Sequence, residues 1–516
     1  MTRHNMPALM SPRIIHTAGD GVLKGTSPEQ VNEIAKEVAR ATHTVIHLHG
    51  GLVTSKSAID AAGRLSKFYQ EEGLQSVFFV WESGLFETIS NNPNEIFNEK
   101  IFRTLLKRVL KWAGGKILDA GGSRNIGDTA EPLDDGTVEM ALDQADLAGV
   151  GRTDSARQEP LLQLVAPPDI APLKSEEQEK FARELRESQE FRDAFDGLML
   201  GLAVEPSPGR RAASAAVPFK SLISQPIKDE LRETAVEGQR GLFDAATMIG
   251  HAVAVLVRVV RRLAQHRDHG LYTTVVEELL RELYVNAIGT HVWGMMKKDT
   301  QDTFEIGDPA QPRGGRLFVA ELAAAVGESG KQPRISIVAH SAGAIFTSHL
   351  LKHVDQQRKA GALPADFHFH GIAFLAPACR CALWADVLAI HRTKPLWNSF
   401  RMFSLSDPLE SGYWELPPLY PRSLLYIISG ILENPEFDTP LLGMQRYLKK
   451  GGAAAYDKMK EVVTTRDFLA GNHYQVWSQA NDGPGLSSDS TRHGAFTATG
   501  TEHTETMKSV SHFLTT

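Results

Sequence analysis

Ile335-Ser336-Ile337-Val338-Ala339-His340-Ser341-Ala342-Gly343-Ala344 is a β-branched run that stops at a serine set among small residues. A helical pattern starts at once, with Ala344, Ile345, Phe346, Leu350 and Leu351 apolar and Ser and Thr between them. Strand, tight turn and helix together form the setting of a nucleophile elbow, where a serine hydroxyl is presented at the top of a sheet. The positions two before and two after that serine must be small, because side chains there collide across the bend. Gly343 meets the second requirement, and Ala339 stands where the usual motif has glycine. The same residues also describe a strand followed by a helix that Ser341 merely caps, so the flanking sequence has to decide.

Upstream, Ser27-Pro28-Glu29-Gln30 predicts a capping box with proline at the first helical position, and Val31, Ile34, Ala35 and Val38 share one helical face. Residues 44–48 predict a short buried strand that runs into His49-Gly50-Gly51-Leu52. A helix over about residues 57–72 stops at Gly73, and residues 76–81 predict a strand that delivers Trp81, Glu82 and Ser83 to its end. Downstream, a helix over residues 317–326 leads into the elbow strand. Further strands are predicted over 369–375 and 400–405, the second ending at Ser406-Asp407-Pro408. A helical excursion (424–432, then 441–448), a strand over 474–477 and a closing helix over 504–514 complete the chain. Strands alternating with amphipathic helices imply an α/β fold with a mostly parallel sheet covered on both faces.

The alternation breaks in the middle. Residues 114–172 are rich in Gly, Asp, Ala and Pro and read as loop or partly disordered chain. A capped, charged helix follows from Ser175, then a second Pro/Ala/Arg-rich break over 205–218, then helical patterns over 219–296. The expected organisation is therefore an N-terminal core part (1–114), a mainly helical insertion (115–310) and a C-terminal core part (311–516). The most apolar stretch of the insertion, between Asp244 and Arg258, is too short to span a membrane and is closed by Arg258, Arg261 and Arg262. It reads as a buried helix in preference to an interfacial one.

With 516 residues, 42% hydrophobic and 23% charged, the composition is that of an ordinary globular protein. The net charge of −7 arises from interspersed signs with no basic block, which argues against nucleic acid as a partner. Residues 1–13 carry no apolar signal region, and Cys379 and Cys381 are too few for a zinc site and too close to pair with each other. A cytoplasmic protein without disulfides, metal or cofactor is the expectation.

A serine hydroxyl needs a base to take its proton, usually a histidine held by a carboxylate. Asp407 at a strand end and then His493 on a glycine-flanked loop follow Ser341, each where the chain leaves the C-terminal edge of the sheet. Glu410 and Asp386 are rival carboxylates, and His473, His503 and His512 are rival imidazoles. In these features residues 30–85 and 315–516 resemble an α/β-hydrolase of the serine esterase/lipase type, and the alanine-first elbow is similar to that of certain small bacterial lipases. The resemblance implies Ser341 as nucleophile, His493 as general base and acid, and Asp407 as the group that orients the imidazole. It also implies an oxyanion hole from the turn after the early strand (Gly50, Gly51) and the N–H of Ala342. The fourth residue of that turn is Leu52, where the longer family motif has glycine. Leu52, Trp81, Glu82 and His340 are candidate pocket residues; a buried Trp81 anchoring the sheet and a packing or hydrogen-bonding His340 are the alternatives. The cysteine pair reads as structural thiols.

The function implied is hydrolysis of a small-molecule carboxylic ester, with a hydrophobic or lipid-like acyl group, through an acyl-enzyme beneath a helical lid. An amidase, thioesterase or peptidase with the same triad, a surface-acting phospholipase docking through residues 245–262, and a non-catalytic ligand-binding protein are the competing readings. The sequence leaves oligomeric state open.

Overall fold

The computed structural model describes residues 12–51, 54–81, 92–121, 123–124, 136, 138–139, 142, 164–165, 170–204, 221–237, 245–285, 289–433, 437–471, 473–499 and 504–516. Among the described residues nine strands run in chain order as β1 (Arg13–Thr17), β2 (Thr44–Leu48), β3 (Gln75–Trp81), β4 (Ser123–Arg124), β5 (Leu164–Val165), β6 (Ile335–His340), β7 (Phe369–Leu375), β8 (Trp397–Ser404) and β9 (Gln475–Trp477). Seven of them form one sheet in the order β1-β3-β2-β6-β7-β8-β9, and all six ladders are parallel. The protein is thus of the α/β class. The central strands read as unbroken apolar runs because both their faces are covered: every residue of β2 is buried, and so are Ile335 to Ala339 of β6.

On one face Phe78, Val338, Ala373 and Phe403 pack with Leu65 and Tyr69 of the helix Ser55–Glu71 and with Met507, Val510 and Leu514 of the helix Glu505–Thr515. On the other, Phe79 meets Phe318 of the helix Gly314–Ser329 and Phe346 of the helix Gly343–Lys359, at 5.4 and 5.1 Å between ring centroids. The capping box forms as the sequence expects: Ser27 Oγ accepts from the Gln30 N–H and Gln30 Oε1 accepts from the Ser27 N–H. The second helix begins earlier than expected, because Thr54 caps it by accepting from the Ser57 N–H at 3.1 Å.

From β2 the chain passes to β3 on one side of the sheet, and from β6 it passes to β7 on the other. The order therefore reverses between β2 and β6. In open parallel sheets ligands bind at the carboxyl ends of the two strands flanking such a reversal. Leu48 lies opposite Ala339 in this ladder, so the His49-Gly50-Gly51 turn and the His340-Ser341-Ala342 turn leave the sheet side by side.

The chain divides into two compact units whose bounds differ from the expected 1–114, 115–310 and 311–516. Unit 1 comprises Met1–Leu85, Val292–Glu410 and Pro440–Thr516; unit 2 comprises Phe86–His291 and Ser411–Thr439. The helix Lys100–Asp119 belongs to unit 2, since its buried face of Phe102, Leu105, Leu106 and Val109 packs on the helices Gln189–Val204, Ala246–Ala264 and Leu271–Leu279. Most of the two Gly/Pro-rich stretches, 114–172 and 205–218, lies outside the described residues.

Unit 2 is helical, with a small antiparallel β4–β5 pair. The helix Ala246–Ala264 is buried along Met248, Ala252, Val255, Val259 and Leu263, as expected of a buried helix. Its arginines are engaged inside the unit. Arg262, fully buried, donates to Glu277 and Glu278 at 2.7 and 2.9 Å, Arg258 donates to Glu278 and Glu282, and Arg261 stacks over Phe437. Among the described residues no helix is long and apolar enough to cross a membrane.

Candidate active site at the reversal of strand order

Ser341 follows β6 with φ of 53°, a left-handed conformation that costs a non-glycine residue on the order of 1–3 kcal/mol and persists only where its surroundings dictate it. Here the main chain does so. The Ser341 N–H donates to Leu375 O at 2.9 Å, and Ser341 O accepts from the Ala378 N–H at 3.0 Å. Ala376, at the end of β7, is also left-handed (φ 42°), and its N–H donates to Phe403 O at 2.7 Å. The Ser478 N–H then donates to Ser404 O at 2.8 Å. The carboxyl ends of β6, β7, β8 and β9 are thus stitched stepwise, and the first stitch holds the strained serine.

Glycines bring β2 up to this turn. A Cβ on Gly343 would stand 2.6 Å from Leu48 O, so only glycine lets the helix start this close to β2. A Cβ on Gly50 would come within 3.2 Å of Ser341 Cβ, and one on Gly51 within 3.0 Å of Ala342 Cβ. Gly50 therefore lies against Ser341 and Gly51 against Ala342, all four of them buried. The Ala342 N–H lies at the start of the helix Gly343–Lys359, where N–H groups have no intrahelical acceptor.

His49 sets the orientation of the Gly50–Gly51 peptide. Its Nε2 accepts from the Trp81 main-chain N–H at 3.2 Å, so Nδ1 carries the proton and donates to Gly50 O. Burial pulls its pKa down to about 4, keeping the ring neutral with one donor and one acceptor. Carbonyl and N–H point opposite ways across a trans peptide. Holding Gly50 O toward the His49 ring therefore turns the Gly51 N–H away from it. Trp81 is sandwiched between His49 (3.9 Å between centroids) and Phe346 (5.2 Å), which makes it a sheet anchor and not a pocket wall. Leu52 and Glu82 lie outside the described residues.

His493 opens a short 3-10 turn, His493–Thr497, and is 4% exposed. Its ring lies 4.9 Å from that of His340, and its carbonyl oxygen accepts from His340 Nε2 at 3.1 Å. Both ring nitrogens are buried and have no hydrogen-bond partner among the described residues. Neither Ser341 Oγ nor the Asp407 carboxylate is bonded to it, so the expected triad is brought to one sheet edge without its two hydrogen bonds being closed. Burial, with His340 beside it, holds the His493 pKa well below the ordinary histidine value. His340 itself lies against Gly50 and His493 as a hydrogen-bonding residue.

Asp407 begins the short helix Asp407–Gly412 beyond β8, and its N–H donates to Gln445 Oε1 at 2.9 Å. Asp386 is ruled out as its rival, being exposed and paired with Lys352 on the surface. Glu410 is buried one turn further on. Among the rival histidines, His473 and His512 are exposed and His503 is outside the described residues. Cys379 and Cys381 are buried free thiols, with Cys379 Sγ 3.6 Å from Ser348 Oγ.

Two contributors escaped the sequence reading. The segment that returns at Pro440 lies along the β7 exit, where the Leu442 N–H donates to Cys379 O and the Gly443 N–H to Pro377 O. Met296, in the helix Gly289–Asp302, places its sulfur 2.5 Å from where a Gly51 Cβ would be. No signal marks such a methionine, which at helical spacing looks like any core residue. Among the described residues no group of three or more His, Cys, Asp or Glu side chains is arranged to hold a metal ion. Comparison with protein-family models, with curated proteins and with solved structures returns no match for this chain.

Proposed function

We propose that this chain is a serine hydrolase of the α/β-hydrolase type that cleaves carboxylic esters through an acyl-enzyme on Ser341. One observation carries the reading. A serine held left-handed at the reversal of strand order stands one residue from His340, against which a buried histidine with two unengaged ring nitrogens packs. Leaving a buried polar group unpaired costs about 1–3 kcal/mol, an expense that structural histidines avoid and reactive groups tolerate.

In this mechanism the ester carbonyl lies over Ser341 Oγ with its oxygen toward the N–H groups of Ala342 and Gly51. His493 closes on Oγ as substrate binds, since catalytic hydrogen bonds are often long before the complex forms. It takes the hydroxyl proton as Oγ adds to the carbonyl carbon. The two N–H groups stabilise the tetrahedral oxyanion, each such donor being worth about 2.7–4 kcal/mol. The imidazolium returns the proton to the leaving alkoxide, and the C–O bond breaks. Water then attacks the acyl-serine by the same path, releasing acid and free Ser341. Asp407, at the neighbouring β8 exit, is the carboxylate proposed to orient the ring.

Ser341→Ala is expected to abolish hydrolysis of p-nitrophenyl butyrate while leaving circular dichroism and melting temperature unchanged. Full turnover in that variant would remove the proposal.

A further inference from the structure

We infer that His340 is a positioning residue for His493: its Nε2–H, donated to the His493 carbonyl, fixes the backbone from which the general base is presented to Ser341. The inference deepens the hydrolase reading and rests on it. A carbonyl oxygen only accepts, so the contact at 3.1 Å places the His340 proton on Nε2 and leaves Nδ1 bare. Nδ1 faces Gly50, where an added Cβ would come within 3.0 Å. A single ring thus spans the β2 exit, the β6 exit and the 3-10 turn that carries the base.

This tether matters because, among the described residues, the His493 side chain has no hydrogen bond of its own to hold it. Its placement rests on packing and on its main chain. Arg492 before it is extended (φ −148°, ψ 159°), and the turn starts at His493 itself. Fixing the His493 carbonyl therefore fixes the direction in which its Cα–Cβ bond leaves the turn. His340 is also electrostatically suited to the place. Burial keeps it neutral, with a pKa of about 4, so no second charge opposes the imidazolium that forms 4.9 Å away during acyl transfer.

The test is a pair of variants. His340→Phe keeps the ring and removes the donor, whereas His340→Gln puts an amide N–H near the position of Nε2. His340→Phe is expected to lower kcat on p-nitrophenyl butyrate by roughly 100-fold, the effect of about 1 Å of misplacement, with KM unchanged. Fluorophosphonate labelling of Ser341 should slow in the same proportion, and His340→Gln should recover most of both. Imidazole NMR of the wild-type protein provides a readout that needs no variant: His340 should be the Nε2–H tautomer and should not titrate between pH 5 and 8. Three results would overturn the inference: a wild-type rate in His340→Phe, equal loss in both variants, or an Nδ1–H or titrating His340. If wild-type Ser341 takes no label at all, the hydrolase reading fails and this inference fails with it. A labelled wild type beside an unaffected His340→Phe ends this inference alone.

Discussion

Ser341 and Gly51 illustrate how single residues are constrained from two sides. The serine accepts a left-handed backbone because Leu375 and Ala378 bind its N–H and C=O. Gly51 is glycine because Met296 Sδ and Ala342 Cβ leave no room for a side chain. Gly51→Ala is expected to destabilise the fold by about 1–3 kcal/mol through overpacking. The thioether is flexible, so Met296→Ala in the same chain should restore part of that loss, giving a coupling energy of about 0.5–3 kcal/mol in a double-mutant cycle. Additive effects in chemical denaturation would show that the two do not compete for the same space. The proton inventory makes a second expectation. A His493 held well below the ordinary histidine pKa stays in its basic form into mildly acid solution, so the acid limb of kcat/KM should fall below pH 6.5. A limb at or above pH 6.5 would contradict the burial of that ring.

At the level of elements, the sequence made the strand–turn–helix at Ser341, the strand before Gly50 and the closing helix legible, because each has an unbroken apolar run or a clear cap. β1 escaped notice. Arg13-Ile14-Ile15-His16-Thr17 is an edge strand with two adjacent apolar residues and no alternation to mark it. The strands β2, β3, β6, β7 and β9 fall within a residue of the bounds their apolar runs suggest, yet only the folded structure gives their order, which depends on contacts far apart in the chain. The candidate site draws on residue types that the sequence shows at strand ends, while the His340–His493 tether and the Gln445–Asp407 contact join residues 153 and 38 positions apart that no local pattern links. In unit 2 the carboxylates of Glu277, Glu278 and Glu282 are buried against Arg258 and Arg262. Burial alone would raise the pKa of Glu277, but His269 and Arg262 beside it hold it below the ordinary carboxylate value. Arg262→Leu removes a buried cation shared by Glu277 and Glu278, leaving them to Arg258 and His269, and should cost about 3–5 kcal/mol, read as a lowered unfolding midpoint. An unchanged midpoint would mean the network is not closed as described.

Over the whole molecule, the division into two compact units rests on contacts that amphipathic helices do not declare in sequence, since such a helix does not show which core it serves. The helix Lys100–Asp119 has the same periodicity as its neighbours in the sheet unit, and only the partners of Phe102 and Val109 assign it. The buried histidines set a property of the fold as a whole. His43, His49 and His340 are held at about 4 and His47 at about 3, chiefly by burial. Below pH 6.5 the unfolded chain binds protons that the folded chain refuses, so unfolding free energy rises with pH across this range. Each such group adds a slope of up to about 1.4 kcal/mol per pH unit between its folded pKa and 6.5. His251 is shifted upward by Glu282, so its stabilisation is complete below pH 6.5 and lost only above it, leaving the slope between 4.5 and 6.5 intact. Denaturation curves at pH 7 and pH 5 should therefore differ by several kcal/mol, and coincident curves would refute the burial pattern. Whether Ser341 is an activated nucleophile is read by mass spectrometry of peptides after exposure to a fluorophosphonate probe: an activated Ser341 carries the one adduct and loses it in His493→Ala, whereas an unmodified Ser341 or an adduct on another residue means that it is not the nucleophile.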